Sequence, residues 1–244
     1  MYINYLTDLI FPRRCVVCGK ILLPKEKFIC SFCLADMPLT HYWDWPENPA
    51  EKILWGRTYA QRVTPLFFYT REANYRHILQ EIKYHDNKHL AVFMGMMLGK
   101  YLFKANFREK IDILMPIPLH WRKKQIRGYN QAELICRGIS KILGSPVNTH
   151  IIKRNRFTHT QTQVDVNDKW RNVEGAFSLT ARAHNIIQRL RNKKSILYGN
   201  DRLNIMLVDD VLTTGATMEA CSNELLKESG VNVYVATLAF VAPS

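Results

Sequence analysis

One segment restricts the fold of this chain more than any other. It is an apolar run followed by two adjacent carboxylates and a threonine-rich turn. Residues 205–217 read IMLVDDVLTTGAT. The segment from Ile205 to Val208 predicts a buried strand, and strands alternate with helical patterns elsewhere, which indicates an α/β fold with a parallel sheet covered on both faces. Ligands bind such sheets at the carboxyl ends of the strands. Asp209 and Asp210 are therefore expected at a binding site.

The turn after the carboxylates is expected to bind phosphate. Free backbone N–H groups and the positive end of the following helix attract anions there, and Gly215 allows a ligand to approach the backbone closely. Asp209 and Asp210 would repel phosphate, so we expect them to bind sugar hydroxyls or to help hold a hydrated Mg²⁺. The stretch thus predicts a ribose 5-phosphate site. The alternative is that these residues only cap the helix.

The rest of the apolar pattern divides into helices and strands. Residues 70–103 predict one or two helices with a polar break at Lys83–Lys88. The basic stretch from Ala181 to Arg202 is expected to be a surface excursion with some helix. Cys136 and Cys221 fall within helical patterns and are expected in the core. Besides the strand before the aspartates, which covers about 204–208, strands are predicted at 111–118, near 147–152 and at 231–241. Further helices are predicted at about 130–143, ended by Gly144, and at about 217–229.

Four cysteines near the N-terminus form two CxxC pairs, Cys15/Cys18 and Cys30/Cys33. This spacing suits four thiolates that converge on one zinc ion, and Gly19 fits the tight turn after the first pair. About forty residues are too few for a stable core, so a structural metal would contribute folding free energy. Two redox disulfides or a chance pattern remain the alternatives.

The chain is expected to contain two modules. Residues 1–50 would hold an N-terminal helix, the zinc ribbon and a linker, and residues 51–244 the α/β domain. Ile3, Leu6, Leu9 and Ile10 recur at helical spacing before Pro12, which predicts a helix that covers the cysteine knuckles. The aromatic and proline-rich segment 41–49 has no clear period and is expected to be the linker.

The net charge of +13 directs the chain towards anionic partners such as phosphorylated small molecules, nucleic acid or acidic proteins. Basic residues cluster at 122–127, 153–156 and 182–194. No apolar run approaches the roughly 20 residues that span a bilayer, and the first residues make a poor signal peptide. We therefore expect a cytoplasmic protein without a membrane span.

The stretch 205–217 resembles the 5-phosphoribosyl-1-pyrophosphate (PRPP) signature of type I phosphoribosyltransferases. Two further blocks, MPIPLHWRKKQIRGYNQAELI at 115–135 and RNRFTHTQTQVDVNDKWRNVEGAF at 154–177, resemble the ComF family, also described as GntX-like amidophosphoribosyltransferase-related proteins. In that family a cysteine zinc ribbon precedes a phosphoribosyltransferase domain. The resemblance covers nearly the whole chain and implies a type I phosphoribosyltransferase fold behind a small zinc ribbon.

The resemblance also implies roles for individual residues. Asp209, Asp210 and Arg127 would take part in catalysis, and Arg171 and Asn172 would anchor a mobile flap. The basic loop after the strand at 111–118 would face the pyrophosphate end of PRPP. Within it, Arg122, Lys123 and Lys124 are equally consistent with solvated surface charge, and an exposed basic loop is the alternative for the binding residues of this loop and for the flap. The PRPP-binding set would be Asp209, Asp210, Thr213, Thr214, Gly215, Thr217, Arg127, Gly128, Asn130 and Gln131, and the flap would contain Arg154, Arg156, Thr160 and Gln163.

Two functions of different class follow from these expectations. The first is a Mg²⁺-dependent phosphoribosyltransferase that releases pyrophosphate and whose acceptor the sequence does not identify. The second is a non-catalytic factor in natural competence that binds single-stranded DNA or a DNA-processing protein, because the family is associated with DNA uptake and the chain is strongly basic.

Overall fold

The computed structural model describes residues 12–156 and 175–242. In this part of the chain four apolar segments form one parallel sheet, and two short segments form a separate antiparallel ribbon. The strands are β1 (Val63–Phe68), β2 (Ile113–Pro116), β3 (Ile152–Arg154), β4 (Phe177–Leu179), β5 (Leu203–Leu212) and β6 (Val231–Phe240). The main sheet has the order β1-β6-β5-β2, and β3 pairs with β4.

Helices cover both faces of the main sheet. They are α1 (Ser31–Ala35), α2 (Pro49–Lys52), α3 (Arg76–Tyr84), α4 (Lys88–Lys104), α5 (Trp121–Arg127), α6 (Gln131–Leu143), α7 (Ala183–Tyr198) and α8 (Ala216–Leu225). Alternate residues of β5 enter two different hydrophobic cores: Met206 packs with α3, α4 and α6, and Ile205 packs with α7 and α8. This arrangement confirms the predicted α/β class with a parallel sheet between helices.

Local signals place several helix ends where the sequence predicts them. The Asn130 carboxamide oxygen accepts a hydrogen bond from the Ala132 N–H at 3.1 Å and so caps α6, which ends at Gly144 with a left-handed φ of 80°. The polar break expected at Lys83–Lys88 separates α3 from α4. Cys136 and Cys221 are fully buried, which confirms both as core residues.

Helices α4 and α6 pack unusually closely because glycines face the partner backbone. A Cβ on Gly95 would lie 2.2 Å from the Ile135 carbonyl oxygen, and one on Gly138 would lie 2.2 Å from the Val92 carbonyl oxygen. Only glycine fits at either position. At the start of α6, the Asn130 side chain donates to the carbonyl oxygen of Ile117, the residue after β2, so α6 begins beside the carboxyl end of that strand.

Other elements differ from the sequence-based expectation. The strand expected near 147–152 is reduced to a single parallel bridge between Val147 and Leu114, followed by β3. Strand β5 continues to Leu212 rather than ending at Val208, because β6 stays paired with it beyond the point where β2 stops. Helix α8 ends at Leu225, short of Ser229. Helix α7 accounts for most of the basic stretch, as expected.

Several elements were not predicted, namely α1, α2, α5, β1 and β4. Helix α5 lies in the segment expected to be a basic loop, and β1 lies where no strand was expected. Pro65 interrupts the donor pattern of β1, and proline is tolerated there because β1 lies at one edge of the parallel sheet. Along the chain segments that the structure describes, no helix is both long enough and apolar enough to cross a membrane.

The segment expected to be a linker is packed against the α/β domain. The Thr40 N–H donates to the Leu66 carbonyl oxygen at 3.0 Å, and the Trp43 ring stacks on Tyr101 with ring centroids 4.4 Å apart. Asn48 is fully buried, and its side chain donates to the Val63 carbonyl oxygen at 3.1 Å. The division at residue 50 stays a prediction. The expected helix at residues 3–10 lies outside the described residues.

Candidate functional site

The four N-terminal cysteines converge on one point. Their sulfur atoms all lie within 4.8 Å of one another, and the sulfurs of Cys18 and Cys30 are 3.8 Å apart. A tetrahedral zinc ion with Zn–S bonds of about 2.3 Å would separate its sulfurs by about 3.8 Å. All six cysteines are free thiols rather than disulfides. The geometry therefore fits one zinc ion held by Cys15, Cys18, Cys30 and Cys33.

The surrounding backbone favours thiolates in this cluster. The Cys30 N–H donates to the Cys15 sulfur at 3.3 Å, and Gly19 turns the chain with a φ of 73° while its N–H donates to the Cys15 carbonyl oxygen at 2.8 Å. Burial raises the pKa of the Cys15 thiol, but hydrogen bonds from the Cys18 and Cys30 backbone outweigh it and lower the pKa to about 7. A thiolate is the form that binds zinc.

The two adjacent aspartates lie in β5 just beyond the last residue that pairs with β2. Strand β2 pairs with β5 only as far as Val208, whereas Asp209 is still in register with Thr237 of β6. The side facing β2 is therefore open from Asp209 onwards. The Asp210 backbone N–H donates to the Asp209 carboxylate at 2.9 Å, which orients the Asp209 side chain.

Lys83 is a site residue that the sequence-based interpretation missed. Its ammonium lies 3.0 Å from an Asp210 carboxylate oxygen, and the Asp210 side chain is only 10% exposed. Burial lowers the pKa of Lys83, but the charges of Asp210 and Asp209 outweigh burial, and the pKa is raised overall. Lys83 follows the buried Leu79 by four residues, so a lysine on the apolar face of α3 was the available signal.

The pKa of the Asp209 carboxyl group is raised above its ordinary value. Burial and the neighbouring Asp210 charge raise the pKa of Asp209 to about 7, although Lys83 and Arg154 oppose the shift. A carboxyl group that titrates near neutral pH can accept hydrogen bonds from hydroxyls once a bound cation or cationic side chain favours its charged form. The pair thus combines one ion-paired carboxylate, that of Asp210, with one poised for ionisation, that of Asp209.

The turn from β5 into α8 leaves its backbone donors available. Helix α8 begins after Gly215, which has a φ of 77°, and no side chain caps the helix. The capping alternative considered for this stretch does not match that geometry. The first helical hydrogen bond runs from the Glu219 N–H to the Gly215 carbonyl oxygen, so the preceding N–H groups of the helix point out of its end. Thr213 is exposed, and Thr214 and Thr217 are partly exposed.

A segment that follows α2 supports this turn from behind. A Cβ on Gly215 would lie 2.8 Å from the Leu54 Cδ2 atom and 2.9 Å from the Ile53 Cγ2 atom. The Arg57 guanidinium donates to the Thr214 carbonyl oxygen at 3.0 Å and forms an ion pair with Glu219 at 2.8 Å. These contacts hold the turn and the first turn of α8 in one arrangement.

A cavity of about 730 Å³ lies between the α3–α4 connection and α5. Lys83 contributes to its wall and so connects it to the aspartate pair. Of the residues predicted to bind the pyrophosphate end, Arg127 and Gly128 line the cavity. The full lining is Lys83, Tyr84, Asp86, Lys88, Lys123, Gln125, Ile126, Arg127, Gly128 and Tyr129.

The other predicted residues of this loop have internal partners. Asn130 donates to the Ile117 carbonyl oxygen at 3.0 Å while it caps α6. Gln131 is 3% exposed, and its side-chain oxygen accepts a hydrogen bond from Arg127 at 3.2 Å. The predicted roles of both residues in binding pyrophosphate stay predictions.

The three basic residues that were expected to be either functional or surface charge have different environments in the structure. Lys123 lines the cavity, whereas Arg122 and Lys124 are exposed and the Arg122 guanidinium lies over the Trp121 ring. Burial, together with the nearby charges of Arg154, Arg127 and Lys83, lowers the pKa of Lys123 to about 8. This crowding of positive charge indicates a place for an anion.

The predicted flap is described only in part. Arg154 ends β3, its guanidinium lies 5.2 Å from the Phe177 ring centroid of β4, and its charge influences Asp209. Arg156 follows it and is exposed. The two-stranded ribbon β3–β4 frames the segment between them. Thr160, Gln163, Arg171 and Asn172 lie outside the described residues.

Comparison with protein families supports the metal site. Residues 6–42 match the double zinc ribbon domain. The match spans both CxxC pairs, whose four sulfurs converge in the structure. The predicted structural zinc at Cys15, Cys18, Cys30 and Cys33 is therefore supported by both the family match and the geometry.

Comparison with curated proteins finds relatives along most of the chain. Competence protein F of Haemophilus influenzae is 34% identical over 120 residues, which cover 49% of this chain and 46% of that protein, so this match spans less than half of its length. DNA utilization protein YhgH is 24% identical in Salmonella typhimurium and 23% identical in Escherichia coli K12, in each case over 91% of this chain and 87% of the relative. Together with the zinc ribbon and the parallel α/β sheet, these relatives show that the chain is similar to ComF-like proteins.

Proposed function

We propose that this protein binds a ribose 5-phosphate ligand, PRPP in particular, and acts in DNA uptake or utilization. The observation that carries the proposal is the turn at Thr213–Gly215, which leads from the strand that holds the two carboxylates into a helix without a side-chain cap. The free N–H groups would bind the 5-phosphate, with hydroxyls from Thr213, Thr214 and Thr217. Asp209 and Asp210 would accept hydrogen bonds from the sugar hydroxyls.

The charge distribution suits a ligand that carries phosphate at both ends. The 5-phosphate would lie at the N-terminus of α8, and the pyrophosphate would lie towards Lys83, Lys123 and Arg127 on the other side of the carboxylates. Positive side chains in a partly enclosed site stabilise the charge that develops on a leaving pyrophosphate. The two aspartates would stabilise the positive character that develops at the ribose C1 atom.

Magnesium would accompany the ligand rather than reside in the protein. Over the ranges 12–156 and 175–242, the cysteine cluster is the only group of three or more side chains arranged to hold a metal ion. The aspartate pair offers two carboxylates, and Mg²⁺ commonly combines one or two carboxylates with substrate phosphates. When bound, the ion would neutralise pyrophosphate charge. The two carboxylates present fit an ion that is held partly by the protein and partly by the phosphates of the ligand.

The biological setting comes from the relatives, whose names refer to competence and to DNA utilization. A phosphoribosyltransferase in this setting would transfer the sugar phosphate to an acceptor and release pyrophosphate. A protein that only binds PRPP would instead report its concentration to a DNA-processing system. Both versions require the same site at Asp209 and Thr214.

Direct binding of single-stranded DNA is the second candidate. The net charge of +13 supports it, as do exposed cations on α7 such as Arg189 and Lys193, which lie far from acidic neighbours in sequence. Nucleic-acid affinity that depends on phosphate contacts falls linearly on a logarithmic scale as salt rises. A salt titration with a fluorescent oligonucleotide measures this slope.

Calorimetric titration of PRPP with Mg²⁺ into zinc-loaded protein tests the first candidate. We expect saturable heat with the wild type and none with Asp209→Asn combined with Asp210→Asn, while circular dichroism shows that the variant is folded. Oligonucleotide binding should be nearly unchanged in that variant. Release of pyrophosphate across a panel of bases and amines then separates transfer from binding. Absence of heat and of thermal protection in the wild type would overturn the proposal.

A further inference from the structure

Two large apolar side chains face the same cationic cavity without a role in binding a sugar phosphate. Tyr84 is 67% exposed and Ile126 is 82% exposed, and both line the cavity of about 730 Å³ between the α3–α4 connection and α5. Pyrophosphate would contact neither side chain. Cavities of this size hold small organic ligands, and such ligands use apolar walls for their rings.

The charges around these two side chains favour a multivalent anion. Four cations line the cavity against one carboxylate, that of Asp86, which lies 3.1 Å from the Lys88 ammonium. The Arg127 guanidinium lies 5.6 Å from the centre of the Tyr84 ring and donates its hydrogen bond to a neutral side chain, Gln131. An anion at Lys123 and Arg127 would relieve the crowding of positive charge there.

A ligand that contacts both the apolar side chains and the cations of this cavity would contain a planar ring and a phosphate. We propose that this cavity binds a nucleoside phosphate, with the base between Tyr84 and Ile126 and the phosphate at Lys123 and Arg127. Stacking on tyrosine accepts any base, and the adjacent guanidinium extends the stacking surface. Since Arg127 is also assigned to the pyrophosphate end of PRPP, this inference rests partly on the proposed function and names the second ligand of that site.

Lys83 would connect the two ligands. Its side chain lines the cavity, and its ammonium contacts Asp210, which is assigned to the ribose. A phosphate in the cavity would attract this ammonium away from the carboxylate and so free Asp210 for a sugar hydroxyl. Because both ligands would place a phosphate at Lys123 and Arg127, however, nucleoside phosphate and PRPP are expected to weaken each other's binding.

The test compares adenosine 5′-monophosphate, adenosine and pyrophosphate as calorimetric ligands of the full chain. Tyr84→Ala and Ile126→Ser should each weaken the binding of the monophosphate about 10-fold, as expected for loss of stacking, and leave pyrophosphate binding unchanged. The matched controls are Tyr198→Ala and Ile196→Ser on α7, whose side chains are 75% and 84% exposed. The inference is overturned if the monophosphate binds no more tightly than pyrophosphate or if the controls weaken it equally.

Two further arms separate this inference from the proposed function. In the variant with Asp209→Asn and Asp210→Asn, the monophosphate should still bind while PRPP does not. Loss of both would place the monophosphate in the ribose 5-phosphate site and overturn the inference alone. If PRPP fails to bind to the wild type while the monophosphate binds and depends on Tyr84, the proposed function fails and the inference stands.

The source of the nucleoside phosphate is distinguished with a short DNA strand. A hexanucleotide with a 5′-phosphate is compared with the same strand with a 5′-hydroxyl. Binding that requires the 5′-phosphate and Tyr84 identifies a strand end as the ligand, and binding of the monophosphate alone identifies a free nucleotide. Either result supports the shared chemistry, and failure of both ligands overturns it.

Discussion

The Lys83 ammonium and the Asp210 carboxylate form an ion pair with a separation of 3.0 Å, and this pair joins helix α3 to strand β5 at the candidate site. Their side chains are 22% and 10% exposed. An ion pair with this burial is costly to break from one side, because the remaining charge loses its partner without regaining full hydration.

We therefore expect Lys83→Met to lower the free energy of unfolding by about 1–3 kcal/mol. Asp210→Asn should have a similar effect, and the double variant should be more stable than the sum of the two single losses predicts, with a coupling of about 1–2 kcal/mol. Urea denaturation of the four proteins measures this cycle. Additive losses would show that the two residues contribute independently. Lys88→Met is a suitable control, since the ion pair of Lys88 with Asp86 is exposed at the surface.

Asp209 should make stability depend on pH. Its pKa is raised to about 7 in the folded protein from an ordinary value of 3.8, so folding favours the protonated carboxyl. This contribution is fully present below about pH 4 and is lost as the pH rises through about 7. Asp209→Asn should therefore stabilise the protein at pH 8 by on the order of 1–3 kcal/mol and have little effect at pH 4.

Thermal unfolding of the wild type and Asp209→Asn at a series of pH values measures this difference. Asp112→Asn is a control for general changes in charge, since Asp112 forms an ion pair with Lys194 at 2.6 Å and has a different environment. A difference between wild type and Asp209→Asn that stays constant from pH 4 to pH 8 would contradict the assignment.

Gly215→Ala should be more damaging than replacement of another glycine with the same backbone conformation. Gly215 and Gly144 have φ angles of 77° and 80°, but only at Gly215 would an added Cβ meet side chains, those of Leu54 and Ile53. Strain alone costs about 1 kcal/mol at Gly144, whereas strain and displaced packing together cost about 2–4 kcal/mol at Gly215. Chemical denaturation compares the two variants, and equal losses would mean that the packing behind the turn is unimportant.

Loss of one zinc ligand should unfold the ribbon. Cys18→Ser is expected to reduce the zinc content from one ion per chain to none and to lower the melting temperature by roughly 10 °C or more, because structural zinc contributes folding free energy directly. Elemental analysis and circular dichroism measure both quantities. Cys221→Ala is the control: Cys221 is buried far from the cluster in sequence and in a different core, so that variant should keep its zinc. Full zinc content in Cys18→Ser would contradict the four-cysteine site.

The sequence predicts those parts of the fold that depend on local signals. Asn130 and Gly144 mark the ends of α6, and the apolar run before Asp209 marks the central strand. The four cysteines identify their metal site by spacing alone. In each case residues close to one another in sequence determine the structure, so a local pattern is enough.

The remaining parts depend on distant partners. Strand β1 contains Pro65 and is stabilised by pairing with β6, which a local pattern does not reveal. Helix α5 begins with the His120 side chain accepting a hydrogen bond from the Arg122 N–H, a cap that resembles an ordinary basic loop in sequence. The contact of Lys83 with Asp210 joins residues far apart in the chain. Such contacts become visible only when the sheet brings the elements together.

Residues 38–40 of the N-terminal module cover the free edge of strand β1. Strand β1 has β6 on one side, and on the other the Phe68 N–H donates to the Pro38 carbonyl oxygen at 2.8 Å while Thr40 pairs with Leu66. A shortened chain that began at residue 51 would leave these backbone groups open to another molecule. Removal of the ribbon would thus turn a covered strand edge into a surface prone to self-association. The metal-binding module would in this way keep the α/β domain from aggregating.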